Sequence, residues 1–213
     1  MAPLISVVIP TRRHESFAVT AASLMDQTFQ DFEVITIVDT ELKGQSWARN
    51  QGISMARGQY TLFSDSDIEW RANAIETLLR TLTYAVPAPL FKVGYAYGGY
   101  ELYQRVFGAF GAPHREILDT VCMRPWQWDD LLHYPYISTM SLVQTDLCRR
   151  YPFREELRRL EDWALWIELG LAGFCGAWCE EVIFSTRLRS GISHDGPIDH
   201  ATAEQYMRSL LKL

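Results

Sequence analysis

The feature that most constrains this fold is an alternation packed into the first third of the chain. Leu4–Ile9, Phe32–Val38 and Gly58–Phe63 are short apolar runs rich in β-branched and aromatic residues, separated by stretches of helical periodicity. The first run is almost continuously apolar and ends at Pro10, which suits a strand buried on both faces of a parallel sheet. Between the runs, His14–Asp26 carries Phe17, Ala21, Leu24 and Met25 on one side of a helix. A second helix fills Gln45–Ala56 and stops at Gly58, read as a C-terminal glycine. Parallel neighbours need long crossovers, usually helical. The order strand, helix, strand, helix, strand therefore predicts an α/β fold with a mostly parallel central sheet.

Beyond Trp70 the pattern predicts a helix to about Thr83, broken after it by Pro87 and Pro89. Val93–Tyr103 reads as strands of a hairpin, Trp126–Leu132 as a short helix and Tyr136–Val143 as a strand. Glu161–Leu171 is a strongly apolar helix, and Phe174–Arg187 holds one or two strands. His200–Leu213 forms an amphipathic helix with Tyr206, Met207, Leu210 and Leu211 on its apolar side. A length of 213 residues without a linker or repeat is expected to be a single domain.

The charge balance limits the partners. A net charge of −6 and a pI near 5.4 argue against a general nucleic-acid binder, which carries a basic excess. Met1 leads straight into a strand-like run, so no signal peptide is expected, and no apolar stretch is long enough to span a bilayer. A cytoplasmic protein with Cys122, Cys148, Cys175 and Cys179 reduced and buried follows. The abundant aromatic residues suit a core, and some suit the apolar face of a sugar ring.

The third strand runs into Ser64-Asp65-Ser66-Asp67. Residues i and i+2 share a side in an extended or tightly turned chain, so Asp65 and Asp67 can offer two carboxylates to one hard cation. Magnesium or manganese suits such oxygen donors, completed by substrate phosphates. A D-x-D triplet arises by chance on the order of once in such a chain. Its position carries the argument, because ligands of open α/β sheets bind outside the carboxyl ends of strands.

Four blocks now carry a family likeness: SVVIPT (Ser6–Thr11), SLMDQTFQDFEVITIVD (Ser23–Asp39), KGQSWARNQGISMARGQYTLFSDSD (Lys43–Asp67) and LEDWALWIELGLAG (Leu160–Gly173). Their order and spacing resemble glycosyltransferase family 2, inverting enzymes of GT-A fold. The resemblance implies a single GT-A domain, with residues 1–70 as the nucleotide-binding half, 90–195 as the acceptor-binding half and 198–213 as a C-terminal helix. It implies that Pro10 and Thr11 lie beside the nucleotide base and that Asp39 accepts from uracil N3–H, as an ionised carboxylate can. Arg13 stands near the family's arginine, and Arg49 is expected to bind a phosphate or stack on the base. Asp65, Ser66 and Asp67 would meet the metal-diphosphate, with His194 as a further metal ligand in a stretch that includes Arg187, Arg189 and Ser193. Asp162 would be the general base and Glu161 would position it or the acceptor. Gly44 and Gly52 are read as serving backbone geometry.

The chain departs from the family pattern at three places. The metal motif usually reads Asp-x-Asp-Asp, and Ile68 takes the fourth position. Arg12-Arg13-His14 replaces Tyr-Asn-Arg, and Asp39-Thr40-Glu41 replaces Asp-Asp-Gly-Ser. The implied donor is a nucleoside-diphosphate sugar, UDP-linked by family habit, and the acceptor a saccharide, a lipid-linked saccharide or a protein. The tail helix covers the site, pairs with a second subunit in a homodimer or touches a membrane surface. Two other readings are a nucleotide-sugar-binding domain without activity and a sugar nucleotidyltransferase. The second is disfavoured because Thr11-Arg12-Arg13-His14 lacks the glycine-rich phosphate loop.

Overall fold

The computed structural model describes residues 2–12, 17–107, 113–188 and 199–213. Arg13, Arg189, Ser193 and His194, singled out above, lie outside the described residues.

Strands β1 (Ile5–Thr11), β2 (Phe32–Val38) and β3 (Tyr60–Phe63) pair in parallel with β1 at the centre. Helices α1 (Ala18–Met25) and α2 (Gln45–Met55) make the crossovers. Next come β4 (Ile68–Trp70), α3 (Ala74–Tyr84), β5 (Lys92–Phe107), β6 (Pro113–Val121) and α4 (Trp128–His133). Then follow β7 (Leu142–Gln144), α5 (Thr145–Arg150), α6 (Glu161–Leu171), β8 (Phe174–Arg187) and α7 (His200–Leu211). Among the described residues these strands form an eight-stranded sheet, in the order β2-β1-β3-β7-β5-β8-β4, with β6 paired to β5. It is mixed: β7 is antiparallel to β3 and β5, and β4 to β8, whereas β5 and β8 run parallel.

The alternation along β1 explains the two cores. Val8 joins a cluster with Ile53 of α2, Ala56 just after it and the apolar residues of α6. Ile5, Val7 and Ile9 point the other way, to Leu24 of α1 and Ile75 and Leu78 of α3. Helix α6 is apolar nearly all round, which suits a buried helix, and Trp166 stacks on Tyr95 at 4.5 Å.

Several expected features are placed differently. Met25 of α1 is 79% exposed, and the helix instead buries Thr20, Ser23 and Leu24. The polar pair is satisfied there: Thr20 Oγ1 donates to the Ile68 carbonyl and Ser23 Oγ to the Thr20 carbonyl. Gly58 is not among the glycines of positive φ and does not cap α2. A Cβ at Gly58 would stand 2.6 Å from the Ser6 amide nitrogen, so this glycine lets β3 start against β1. The Ser6 hydroxyl fixes that approach by accepting the Gly58 N–H at 2.9 Å. β5 runs straight through the stretch expected to turn as a hairpin, and its antiparallel partner is β6. The strand expected over Tyr136–Val143 shrinks to β7, because Ile137 and Thr139 bond to α6 side chains instead. Cys122 is exposed and Cys179 half-buried, so only Cys148 and Cys175 meet the expectation of burial; all four are free thiols.

Candidate active site

Because β1, β2 and β3 are parallel, their carboxyl ends open on one edge of the sheet. Pro10 and Thr11, Asp39 and the Ser64–Asp67 turn are delivered there by three neighbouring strands. The turn is pinned from below. Thr20 Oγ1 reaches the carbonyls of Asp65 and Ile68, and Trp70 Nε1 donates to Ser64 Oγ at 3.0 Å. Asp65, Ser66 and Asp67 are all half-buried. Thr20 is a site-supporting residue that sequence reading missed; its signal was a polar row, Thr20 and Ser23 on the buried side of α1 and Gln27 just beyond it.

Asp39 is 5% exposed and closes the turn before α2. Its Oδ1 accepts the Lys43 N–H at 2.9 Å and its Oδ2 the Gly44 N–H at 2.6 Å. Gly44 has φ 109, outside the range of ordinary L residues. Gly52 allows α2 to lie against Val8, whose methyls a Cβ would strike.

Arg49 sits otherwise than expected for a ligand-facing group. Its side chain is 1% exposed and lies between two carboxylates. Nη2 donates to Asp65 Oδ1 at 3.0 Å and to Gln45 Oε1 at 3.1 Å, and Nη1 to Glu161 Oε1 at 2.9 Å. The guanidinium lies over the Phe153 ring at 5.3 Å. Burial opposes the charge, but Asp65 and Glu161 outweigh it and raise the Arg49 pKa above its ordinary value.

The acidic pair opens α6 from Leu160, which adopts φ 62, a left-handed conformation that costs a leucine about 1 kcal/mol. Asp162 Oδ1 accepts the Trp163 N–H at 2.8 Å and Oδ2 accepts from Thr139 Oγ1 at 3.0 Å. Burial pushes the Asp162 carboxyl up, and Glu161 beside it adds to the effect; the Trp163 N–H, Arg49 and Thr139 pull the other way, leaving a pKa of about 6. Such a group can accept a proton near neutral pH. Thr139 is the second residue that sequence reading missed, since its segment has no regular periodicity.

Among the described residues no three His, Cys, Asp or Glu side chains group as a ready-made metal cage. A cleft of about 480 Å³ between Leu4, Gln59 and Arg149 lies at the amino ends of the strands and touches none of these groups. The tail helix α7 docks on its own chain: Met207 is buried, and Arg208 donates to the Leu132 carbonyl and lies over Trp163 at 5.4 Å. Among the described residues no helix is long and apolar enough to cross a membrane.

The fold is that of the GT-A class, as the solved structures bear out. TarS 1–349 of S. aureus in complex with UDP-GlcNAc superposes with a TM-score of 0.68 at 16% identity, over 99% of this chain and 65% of that one. The mannosyltransferase PcManGT of Pyrobaculum calidifontis, in complex with GDP-Man and Mn2+, gives 0.62 at 13% identity, over 89% and 58%. The chain thus spans less than two thirds of either solved chain. In sequence it is 22% identical over 192 residues to WfgD of Escherichia coli, a UDP-Glc:α-D-GlcNAc-diphosphoundecaprenol β-1,3-glucosyltransferase; the match covers 78% of this chain and 69% of WfgD. TuaG of Bacillus subtilis strain 168, named for teichuronic acid biosynthesis, is 23% identical over 87% of this chain and 79% of its own. The family model described as "Glycosyl transferase family 2" matches residues 36–123. Over those residues the chain is similar to glycosyltransferase family 2.

Proposed function

We propose that this protein moves a sugar from a UDP-linked donor to an acceptor hydroxyl in one inverting displacement, with Asp162 as the general base. The observation that carries this reading is the environment of Asp162. It is a carboxylate raised to about 6, aimed by Thr139 and the Trp163 N–H, and linked through Glu161 and Arg49 to the Asp65 turn. Asp162 takes the proton of the acceptor hydroxyl as that oxygen attacks the anomeric carbon. The bond from that carbon to the diphosphate breaks with its electron pair going to the leaving phosphate. No covalent intermediate on the protein is needed.

The donor side rests on the strand ends. Thr11 and Asp39 border the base position, and Asp39 keeps lone pairs beyond those used in closing its turn. Asp65 and Asp67 fit a hard divalent ion, because they offer only oxygen and Arg49 holds just one oxygen of Asp65. A magnesium or manganese ion held there would supply charge neutralisation on the departing diphosphate. Further positions on such an ion suit phosphate oxygens and water.

The UDP donor in the name of WfgD and the UDP-GlcNAc bound by TarS favour a uridine carrier. WfgD's diphosphoundecaprenol acceptor favours a lipid-linked saccharide, and with it work at a membrane surface. The test is thermal stabilisation by uridine, thymidine and guanosine diphosphates with and without manganese, followed by transfer assays with the matching nucleotide sugars. A manganese-dependent rise with the uridine compound, and turnover abolished by Asp162→Asn, is expected. Transfer that survives Asp162→Asn overturns the base assignment, and stabilisation by guanosine diphosphate alone overturns the carrier.

A further inference from the structure

We infer that Arg49 is a positioning residue that locks the donor-side Asp65 turn to the acceptor-side Glu161–Asp162 pair. The inference rests on the transfer reaction proposed above and deepens it.

Two observations separate this arrangement from an ordinary ion pair. First, the two carboxylates come from distant parts of the chain: Asp65 is 16 residues from Arg49 and Glu161 is 112. One side chain of α2 is therefore a direct link between the end of β3 and the start of α6. Second, the guanidinium has no freedom to serve either side alone. Gln45 holds Nη2, Phe153 backs the plane, and Nε is buried without a partner among the described residues. An unpaired buried N–H is tolerated where the rest of the group is held firmly. A planar fork can hold two carboxylates at fixed separation, whereas an ammonium is a point charge on a flexible stem.

The consequence for the reaction is twofold. The fork fixes the distance between the carboxylate that meets the donor and the pair that meets the acceptor. Its charge also opposes the repulsion that Glu161 exerts on Asp162; these are the charged groups named by the electrostatics of Asp162. Without Arg49, Asp162 faces burial and Glu161 with only two hydrogen bonds in its favour.

The test compares Arg49→Gln and Arg49→Lys with the unaltered protein. It reads kcat, donor affinity, the pH profile of kcat and, on protein without substrate, the Asp162 carboxyl titration by NMR. In Arg49→Gln, kcat is expected to fall at least a hundredfold while donor affinity stays within about threefold, and the acid limb and the titration both rise by about one pH unit. Arg49→Lys should move both in the same direction by less and recover part of kcat. If Arg49→Gln fails to fold, Arg49→Lys carries the test by the same readouts. A folded variant with unaltered limb, titration and kcat overturns the positioning role. A titration that shifts in a protein that transfers no sugar from any nucleotide overturns the reaction while the electrostatic link stands.

Discussion

The hydroxyl of Thr139 donates to Asp162 Oδ2 at 3.0 Å, from a segment that belongs to no helix or strand. A hydrogen bond to a buried carboxylate both aims it and favours its charged form. Thr139→Val keeps the shape and removes the donor. We expect the acid limb of the rate profile to move from about 6 upward by about one unit, since a charged hydrogen bond contributes roughly 1.5–3 kcal/mol. The plateau rate should fall about tenfold. Thr139→Ser should restore both, as read from kcat against pH.

The raised pKa of Asp162 has a consequence for stability. A carboxyl that titrates at about 6 folded and near 3.8 unfolded binds more protons in the folded state between those values. Its contribution to stability therefore falls as pH rises from about 4 to 6 and stays low above. Asp162→Asn should stabilise the protein by about 1–3 kcal/mol at pH 7.5, with little change at pH 4. Urea unfolding at the two pH values measures the difference, and an equal effect at both contradicts the ionisation argument.

Asp65 ties the donor edge of the sheet to a buried guanidinium. Asp65→Asn removes one partner of a buried guanidinium and should lower stability by about 2 kcal/mol, less than the roughly 3–5 of a fully buried pair because Asp65 is partly solvated. Asp65→Asn and Asp67→Asn should both abolish the manganese-dependent part of the uridine diphosphate stabilisation, which calorimetry with and without manganese reads directly.

Gly44 permits a turn that Asp39 closes. Gly44→Ala meets both a φ of 109 and the guanidinium of Arg158. A loss of about 1–3 kcal/mol in denaturant unfolding is expected. Donor affinity should fall with it, because Asp39 would lose the Gly44 N–H that holds Oδ2.

Much of this was legible in the sequence where local pattern and burial agree. β2 and α6 begin and end where their apolar runs do: β2 lies between Asp31 and Asp39, and α6 buries seven of its eleven residues. Asp65, Asp67, Glu161 and Asp162 were legible as a charge pattern beside such elements. The orientation of Arg49 was not, since a guanidinium suits a phosphate as well as a carboxylate and only the approach of α6 decides between them. Burial on the inward side of α1 follows hydrogen bonding by Thr20, and by Gln27 just beyond the helix, rather than hydropathy. Thr139 lies in an irregular stretch, where no periodicity marks which side chain turns inward.

The span from Arg49 to Glu161 also bears on how the chain reaches its folded state. A contact across 112 residues carries a high loop-closure entropy and forms late relative to the β1–β2–β3 unit, whose strands are close in sequence. During synthesis the first three strands emerge well before residue 161, so Arg49 must wait in water, its charge solvated, until α6 docks. Desolvation of one arginine is then coupled to arrival of the second half of the chain. A fragment ending before α6 should keep a loosened α2 and exchange its Arg49-region amides quickly, which makes the link a reporter of when the molecule becomes whole.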